Sequence, residues 1–69
     1  MIDVTIANFE TDVIEASKTT PVLVDFWAPW CGPCKTLGPL LEKVEADYGG
    51  RFILAKIDSA QEQQLAGAF

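Results

Sequence analysis

Between Pro21 and Trp27 the chain reads PVLVDFW, apolar except for one aspartate and built mostly of residues that favour extended backbone. A run of that kind marks a strand covered on both faces, at the centre of a sheet with helices above and below. It therefore demands partners from the rest of the chain. With 69 residues available there is room for one domain. A chain this short hides roughly 60 % of the surface it exposes when unfolded, enough for a single small core.

The flanking segments supply the partners. Asp3 to Ala7 (DVTIA) alternates polar and apolar residues, a short strand with Val4 and Ile6 facing inward. Asn8 is placed to cap a following helix with Phe9, Val13, Ile14 and Ala16 on one face, and Glu10 and Asp12 suit its positive end. Lys18-Thr19-Thr20-Pro21 breaks it. After the central strand, Cys34, Leu37, Leu41, Val44 and Tyr48 recur at helical spacing, Leu40 widens the stripe, and Pro39 predicts a kink. Gly49-Gly50 ends that helix. Phe52 to Ile57 (FILAKI) is a third strand, and Ser59 with Glu62 fits a capping box opening a last helix. The order is β-α-β-α-β-α, with crossovers long enough for parallel strands joined by the right-handed route. The fold class is α/β with a small, mostly parallel sheet.

The only two cysteines lie in WCGPCK, where the second strand turns into the second helix. Residues three apart on a helix have Cβ atoms about 5–6 Å apart. Disulfide Cα separations reach roughly 6.8 Å, so Cys31 and Cys34 can close a bond after small adjustment. Gly32 and Pro33 keep the turn compact, and Pro33 in a first turn sacrifices no intrahelical donor. The reading puts Cys31 at the first turn, where free amides and the helix dipole favour thiolate over thiol, with Lys35 adding a cation. Cys34, one turn in and more buried, stays protonated. Cys31 then attacks and Cys34 resolves. A static disulfide and a metal site compete with this redox reading. One CxxC without histidine supplies two ligands, so zinc would require a dimer.

Asp25 is costly inside an apolar strand unless paired or neutral. Alternation puts it on the face of Leu23 and Trp27, where desolvation favours its protonated form and it can exchange a proton with Cys34, directly or through water. Lys56 is the nearest counter-charge if the second and third strands are neighbours, with Asp58 a rival partner at the strand's exposed end. The competing reading of Asp25 is a strand-end or purely structural acid. Trp27 fits the core. Trp30, in the turn, is an exposed platform for a protein substrate or a packing residue.

A net charge of −5 with no histidine argues against nucleic acid, since five cations cannot neutralise a useful row of phosphates. The N-terminal stretch has no basic region leading into an apolar one, and no apolar run approaches the roughly 18 residues of a membrane span. A cytoplasmic location is the expectation, and reducing surroundings disfavour a permanent staple.

VDFWAPWCGPCK resembles the active-site signature of the thioredoxin family: the acid, both tryptophans, both cysteines, the Gly-Pro spacer and the trailing lysine. PVLVDFWA, Pro39 and LAKID with Lys56 extend the likeness over essentially residues 1–69. Thioredoxin is itself the reference case for a lowered thiol pKa in this motif, so the helix argument contributes only the direction. The resemblance implies a thioredoxin-like fold and protein disulfide reduction. Cys31 would form the mixed disulfide and Cys34 release it, with Asp25 handling the proton and Lys56 tuning Asp25. Trp30, Gly32 and Pro33 would meet the substrate. The partners implied are disulfide-containing proteins and a flavin-dependent reductase drawing on NADPH, with no cofactor bound by this chain.

The likeness departs from the family in one respect. Members continue through a cis-proline loop facing the cysteines, then two antiparallel strands and a helix. The expectation is therefore an incomplete domain over 1–69, or self-association through an uncovered sheet edge. DVTIANFETDVIEAS also resembles the N-terminal domains of bacterial proteins that join such a domain to helical repeats and hold client proteins. A client-binding module, or a half-domain without activity of its own, is the alternative to the oxidoreductase.

Overall fold

A computed structural model describes residues 1–69. Three parallel strands, β1 (Ile2–Asp3), β2 (Val22–Trp27) and β3 (Ile53–Asp58), form one sheet in the order β1-β3-β2. A π-helical segment, Glu10–Glu15, runs into a 3₁₀ turn, Ala16–Lys18. Two α-helices follow, α1 (Cys34–Asp47) and α2 (Gln63–Ala68). The thioredoxin-like α/β architecture is present.

The central strand is β3 and not β2. Leu54, Ala55 and Ile57 are fully buried, whereas β2 pairs along one edge only and leaves Leu23 43 % exposed. The apolar density of PVLVDFW reflects strand propensity and two half-covered faces, not a central place. Pairing sets Leu23, Asp25 and Trp27 opposite Leu54, Lys56 and Asp58 on one face of the sheet. The opposite face carries the main core, where Val4, Val13, Ala55, Ile57 and Leu65 pack together with Ile2, Phe9, Val22 and Val24 around them. Phe69 lies tilted against Phe9 and Phe26 at 5.8 and 6.1 Å at the exposed margin of that layer.

Several local expectations shift. β1 stops at Asp3, because Asn8 Oδ1 draws the Thr5 amide at 2.6 Å into a turn. Val4 is buried as expected, but Ile6 is exposed. The Asn8 side chain thus faces back toward Thr5 and does not cap the helix. Ile14 is exposed as well. Ser59 donates to the Trp27 carbonyl at 3.0 Å and caps nothing; α2 starts only at Gln63. Pro39 lies within α1 without ending it, and Gly49 and Gly50, with φ of 55° and 84°, end the helical run as expected.

α1 also turns a different face inward. Leu37, Leu40, Val44 and Tyr48 are exposed, while Cys34, Gly38, Leu41, Glu42 and Glu45 are buried or half-buried. Those five repeat at three- and four-residue steps, so the sheet-facing stripe holds two glutamates. Glu45 is fully engaged there. Its Oε1 lies 2.6 Å from the Met1 amino group, and its Oε2 accepts the Leu54 amide at 2.7 Å. The amino group first, and then that amide, hold the Glu45 carboxyl below its ordinary pKa. A pKa lowered by folding stabilises the fold above the unfolded carboxyl's value, about 4.3, and the gain is lost as pH falls through the folded value. Glu45→Gln should therefore cost about 1 kcal/mol in urea titrations at pH 7, and the cost should shrink as pH falls below the ordinary carboxyl range. A cost that stays constant as the carboxyl is titrated would mean the pairing is not its source.

Candidate functional site

The site forms where β2 ends. Ala28 is buried, and Ala28 O accepts the Cys31 amide at 3.0 Å in a turn that carries Pro29 and Trp30 outward. Trp30 is 78 % exposed, consistent with a contact platform and not with packing. Gly32 and Pro33 are exposed beside it. Nothing lies within 4 Å of where a Gly32 side chain would begin.

α1 begins at Cys34, with Pro33 as its N-cap residue, so Cys31 lies just ahead of the helix and not in its first turn. The cysteines are joined, with Cα atoms 5.4 Å apart. The Cys34 amide donates to Cys31 Sγ at 3.3 Å. Cys31 thus keeps the electrostatic neighbourhood of a helix N-terminus from outside it. Both cysteines are half-buried. What separates them is this donor, aimed at the first sulfur, and not the expected deeper burial of the second.

Asp25 and Lys56 are direct partners in the β2–β3 register, which brings the two strands together as neighbours. Asp25 is 9 % exposed and makes no hydrogen bond within the chain, and no buried side-chain oxygen is left without a partner, so its carboxylate keeps a little contact with solvent. Lys56 does not close an ion pair with it. The Lys56 ammonium instead lies 5.2 Å from the centre of the Trp27 ring, a cation–π arrangement. It also comes within 3.4 Å of the point where a Gly38 Cβ would stand. The lysine head thus lies beneath α1 at position 38, at ordinary contact distance. Asp58 is occupied elsewhere, its Oδ1 accepting the Ala60 amide at 2.9 Å.

Behind the disulfide lies a cleft of about 220 Å³ lined by Trp27, Cys34, Lys35, Pro39, Glu42 and Lys56. Four of those six residues had a place in the sequence reading of the site or its signature; Pro39 entered as a kink and in the wider family likeness, and Glu42 not at all. Glu42 has a signal in retrospect. It stands eight residues after Cys34 and four after Gly38, on the same stripe. No group of three or more His, Cys, Asp or Glu side chains could hold a metal ion. The pair can therefore close and open a disulfide at an exposed, aromatic-flanked turn, with charged groups behind it.

The chain matches the family model described as Thioredoxin over residues 1–69. It is 45 % identical over 62 residues to a thioredoxin of Chlorobaculum thiosulfatiphilum, covering 90 % of this chain and 56 % of that protein. It is 54 % identical over 57 residues to a thioredoxin of Mycolicibacterium smegmatis, covering 83 % and 49 %. A bifunctional thioredoxin reductase/thioredoxin of Mycobacterium leprae (strain TN) is 44 % identical over 68 residues, 99 % of this chain and 14 % of that protein. The chain spans about half the length of the thioredoxins it matches. No helix is long and apolar enough to cross a membrane.

Proposed function

Because the chain belongs to the thioredoxin family, we propose that it reduces protein disulfides through Cys31 and Cys34. The observation that carries this reading is the closed Cys31–Cys34 bond at the mouth of α1, with the Cys34 amide directed at the Cys31 sulfur. In the reduced chain that donor and the helix end favour a Cys31 thiolate. The thiolate attacks one sulfur of a substrate disulfide, and the other sulfur leaves as a thiolate and takes up a proton. Cys34 gives up its proton and attacks Cys31, which releases the second substrate thiol and leaves the bond seen here. Two electrons pass to the substrate.

Asp25, buried and without a hydrogen-bond partner, is our candidate acceptor of the Cys34 proton. Lys56, its register partner on β3, is the cation that would tune it, from across the ladder and without an ion pair. Trp30, with Gly32 and Pro33, offers an open apolar and backbone surface to a protein substrate. The chain binds no cofactor on this reading, and its electrons come from a flavin-dependent, NADPH-linked reductase. The M. leprae relative, whose name joins a reductase to a thioredoxin, supports that partnership. A cytoplasmic setting, which keeps the pair reduced, completes the proposal.

The test is insulin reduction with dithiothreitol as electron source. The folded chain should shorten the lag before the B chain precipitates. A folded, fully reduced sample that leaves the lag unchanged defeats the proposal. Exposed Leu37, Leu40 and Val44 on α1 favour client holding as the second reading. Client retention that survives replacement of both cysteines by serine would favour it.

A further inference from the structure

Lys56 is ringed by carboxylates and closes an ion pair with none of them. Asp3 of β1 and Asp25 of β2 are its register partners on either side. Asp58 follows two residues on along β3, and Glu42 of α1 lines the same cleft. The chain's ion pairs lie elsewhere, at Met1–Glu45, Lys18–Glu15 and Lys43–Asp47. What Lys56 meets instead is the face of Trp27. Its ammonium lies 5.2 Å from the ring centre, diagonally across the β2–β3 ladder and under Gly38 of α1.

We propose that Trp27 is a positioning residue for disulfide resolution: its ring holds the Lys56 ammonium off Asp25, and so leaves the Asp25 carboxylate open to the Cys34 proton. The inference rests on the oxidoreductase reading above and adds to it what keeps the proton acceptor free. In the mixed disulfide the Cys34 S–H bond breaks and its proton passes to Asp25. The Cys34 sulfur bonds to Cys31 Sγ, and the bond from Cys31 Sγ to the substrate sulfur breaks. The substrate leaves as a thiolate and takes a proton from solvent. Asp25 then returns its own to solvent, so protons and electrons balance without any further reactant.

Asp25 and Trp27 compete for the one ammonium. An opposite residue on the next strand is about 4.8 Å away and one two places along about 8 Å, so backbone geometry alone sends Lys56 to Asp25. Electrostatics points the same way. Asp25 is 9 % exposed, whereas Asp3 is open to solvent, and an ion pair counts for about four times as much near protein as in bulk water. Against both stands the ring, whose face attracts an ammonium most where water is partly excluded. Trp27 is half-buried and lines the cleft together with Lys56. Without the ring, Asp25 is the strongest attraction within reach of the lysine. An ammonium docked there competes with the proton for the same oxygens.

The experiment mixes the reduced chain with one equivalent of 5,5′-dithiobis(2-nitrobenzoate) in a stopped-flow instrument. The first nitrothiobenzoate released reports attack by Cys31, and the second reports resolution by Cys34. Trp27→Leu, which removes the ring, should leave the first phase unchanged and slow the second about fivefold, within the range that loss of one cation–π contact allows. Trp27→Phe, which keeps an aromatic face, should run close to the unaltered chain. In a Lys56→Met background, which has no ammonium to misplace, Trp27→Leu should slow nothing further. Proton NMR supplies a readout that needs no change at Trp27. The Lys56 Hε resonances, identified by their loss in Lys56→Met, should lie upfield of those of Lys18, Lys35 and Lys43, displaced by the ring current. A slowing by Trp27→Leu that persists in the Lys56→Met background overturns the inference and leaves the oxidoreductase reading intact. So does a second phase that Trp27→Leu does not move, equal slowing of both phases, or a Trp27→Phe chain as slow as Trp27→Leu. Lys56 resonances that fall among those of the other lysines overturn it as well. Release of only one equivalent by the unaltered chain overturns both.

Discussion

Cys31→Ser is expected to abolish disulfide reduction, by roughly three orders of magnitude or more, while Cys34→Ser stops turnover at a covalent adduct. The difference follows from the geometry at the start of α1. Cys31 sits ahead of the helix beside exposed Trp30, and its sulfur receives the Cys34 amide. A serine at 31 leaves that amide pointing at a poor nucleophile, and no mixed disulfide forms. A serine at 34 keeps the attacking thiolate and removes only the group that would displace the substrate. The trapped species gains the mass of one substrate thiol, which intact-mass spectrometry reads directly. An adduct on Cys31→Ser and none on Cys34→Ser would exchange the two roles. Adducts on neither, in folded samples, would leave the family fold without its chemistry.

The parts of the site that lie on strands could be read from alternation. Asp25 and Lys56 each fall inside an apolar run, and strand periodicity puts each on a definite face. The structure pairs them in register. What alternation does not contain is strand order. A run such as VLVDFW looks equally central whether one or both edges are paired, because side chains report faces and hydrogen-bonded edges belong to the backbone. The central place fell to β3, whose Lys56 makes its sequence look less buried than it is.

The helix face was misread for a related reason. Leucine, valine and tyrosine outnumber other residues on one side of α1, and hydropathy alone turns that side inward. The face against the sheet carries Cys34, Gly38 and two glutamates instead, since its neighbours there are an amino terminus, a backbone amide and a lysine head. Charge complementarity across two elements is invisible to a pattern measured along one. For the same reason Glu42, eight residues from Cys34, reads as an ordinary solvated acid until Lys56 is placed beneath the helix.

Ile57→Ala should be the most damaging change to the fold, at 2–5 kcal/mol by the usual cost of emptying a buried aliphatic site, roughly speaking. Ile57 is fully buried on the central strand, and it shares the core with Ala55 of its own strand and with Val4, Val13 and Leu65 from three other segments. Those three segments cannot collapse into the space without shifting against the strand that holds Lys56. Natural domains hold roughly 0.05–0.15 kcal/mol per residue, which for this length is about 3–10 kcal/mol in total. The substitution therefore removes a large part of the stability, and urea titration should find the midpoint greatly lowered or the transition lost. Leu23→Ala is the informative comparison. Leu23 is just as apolar but 43 % exposed on β2, the edge strand, so its loss should cost under about 1 kcal/mol. Equal costs at the two positions would mean that something covers β2 in solution. A cost at Leu23 that grew with protein concentration would identify the cover as a second copy of the chain.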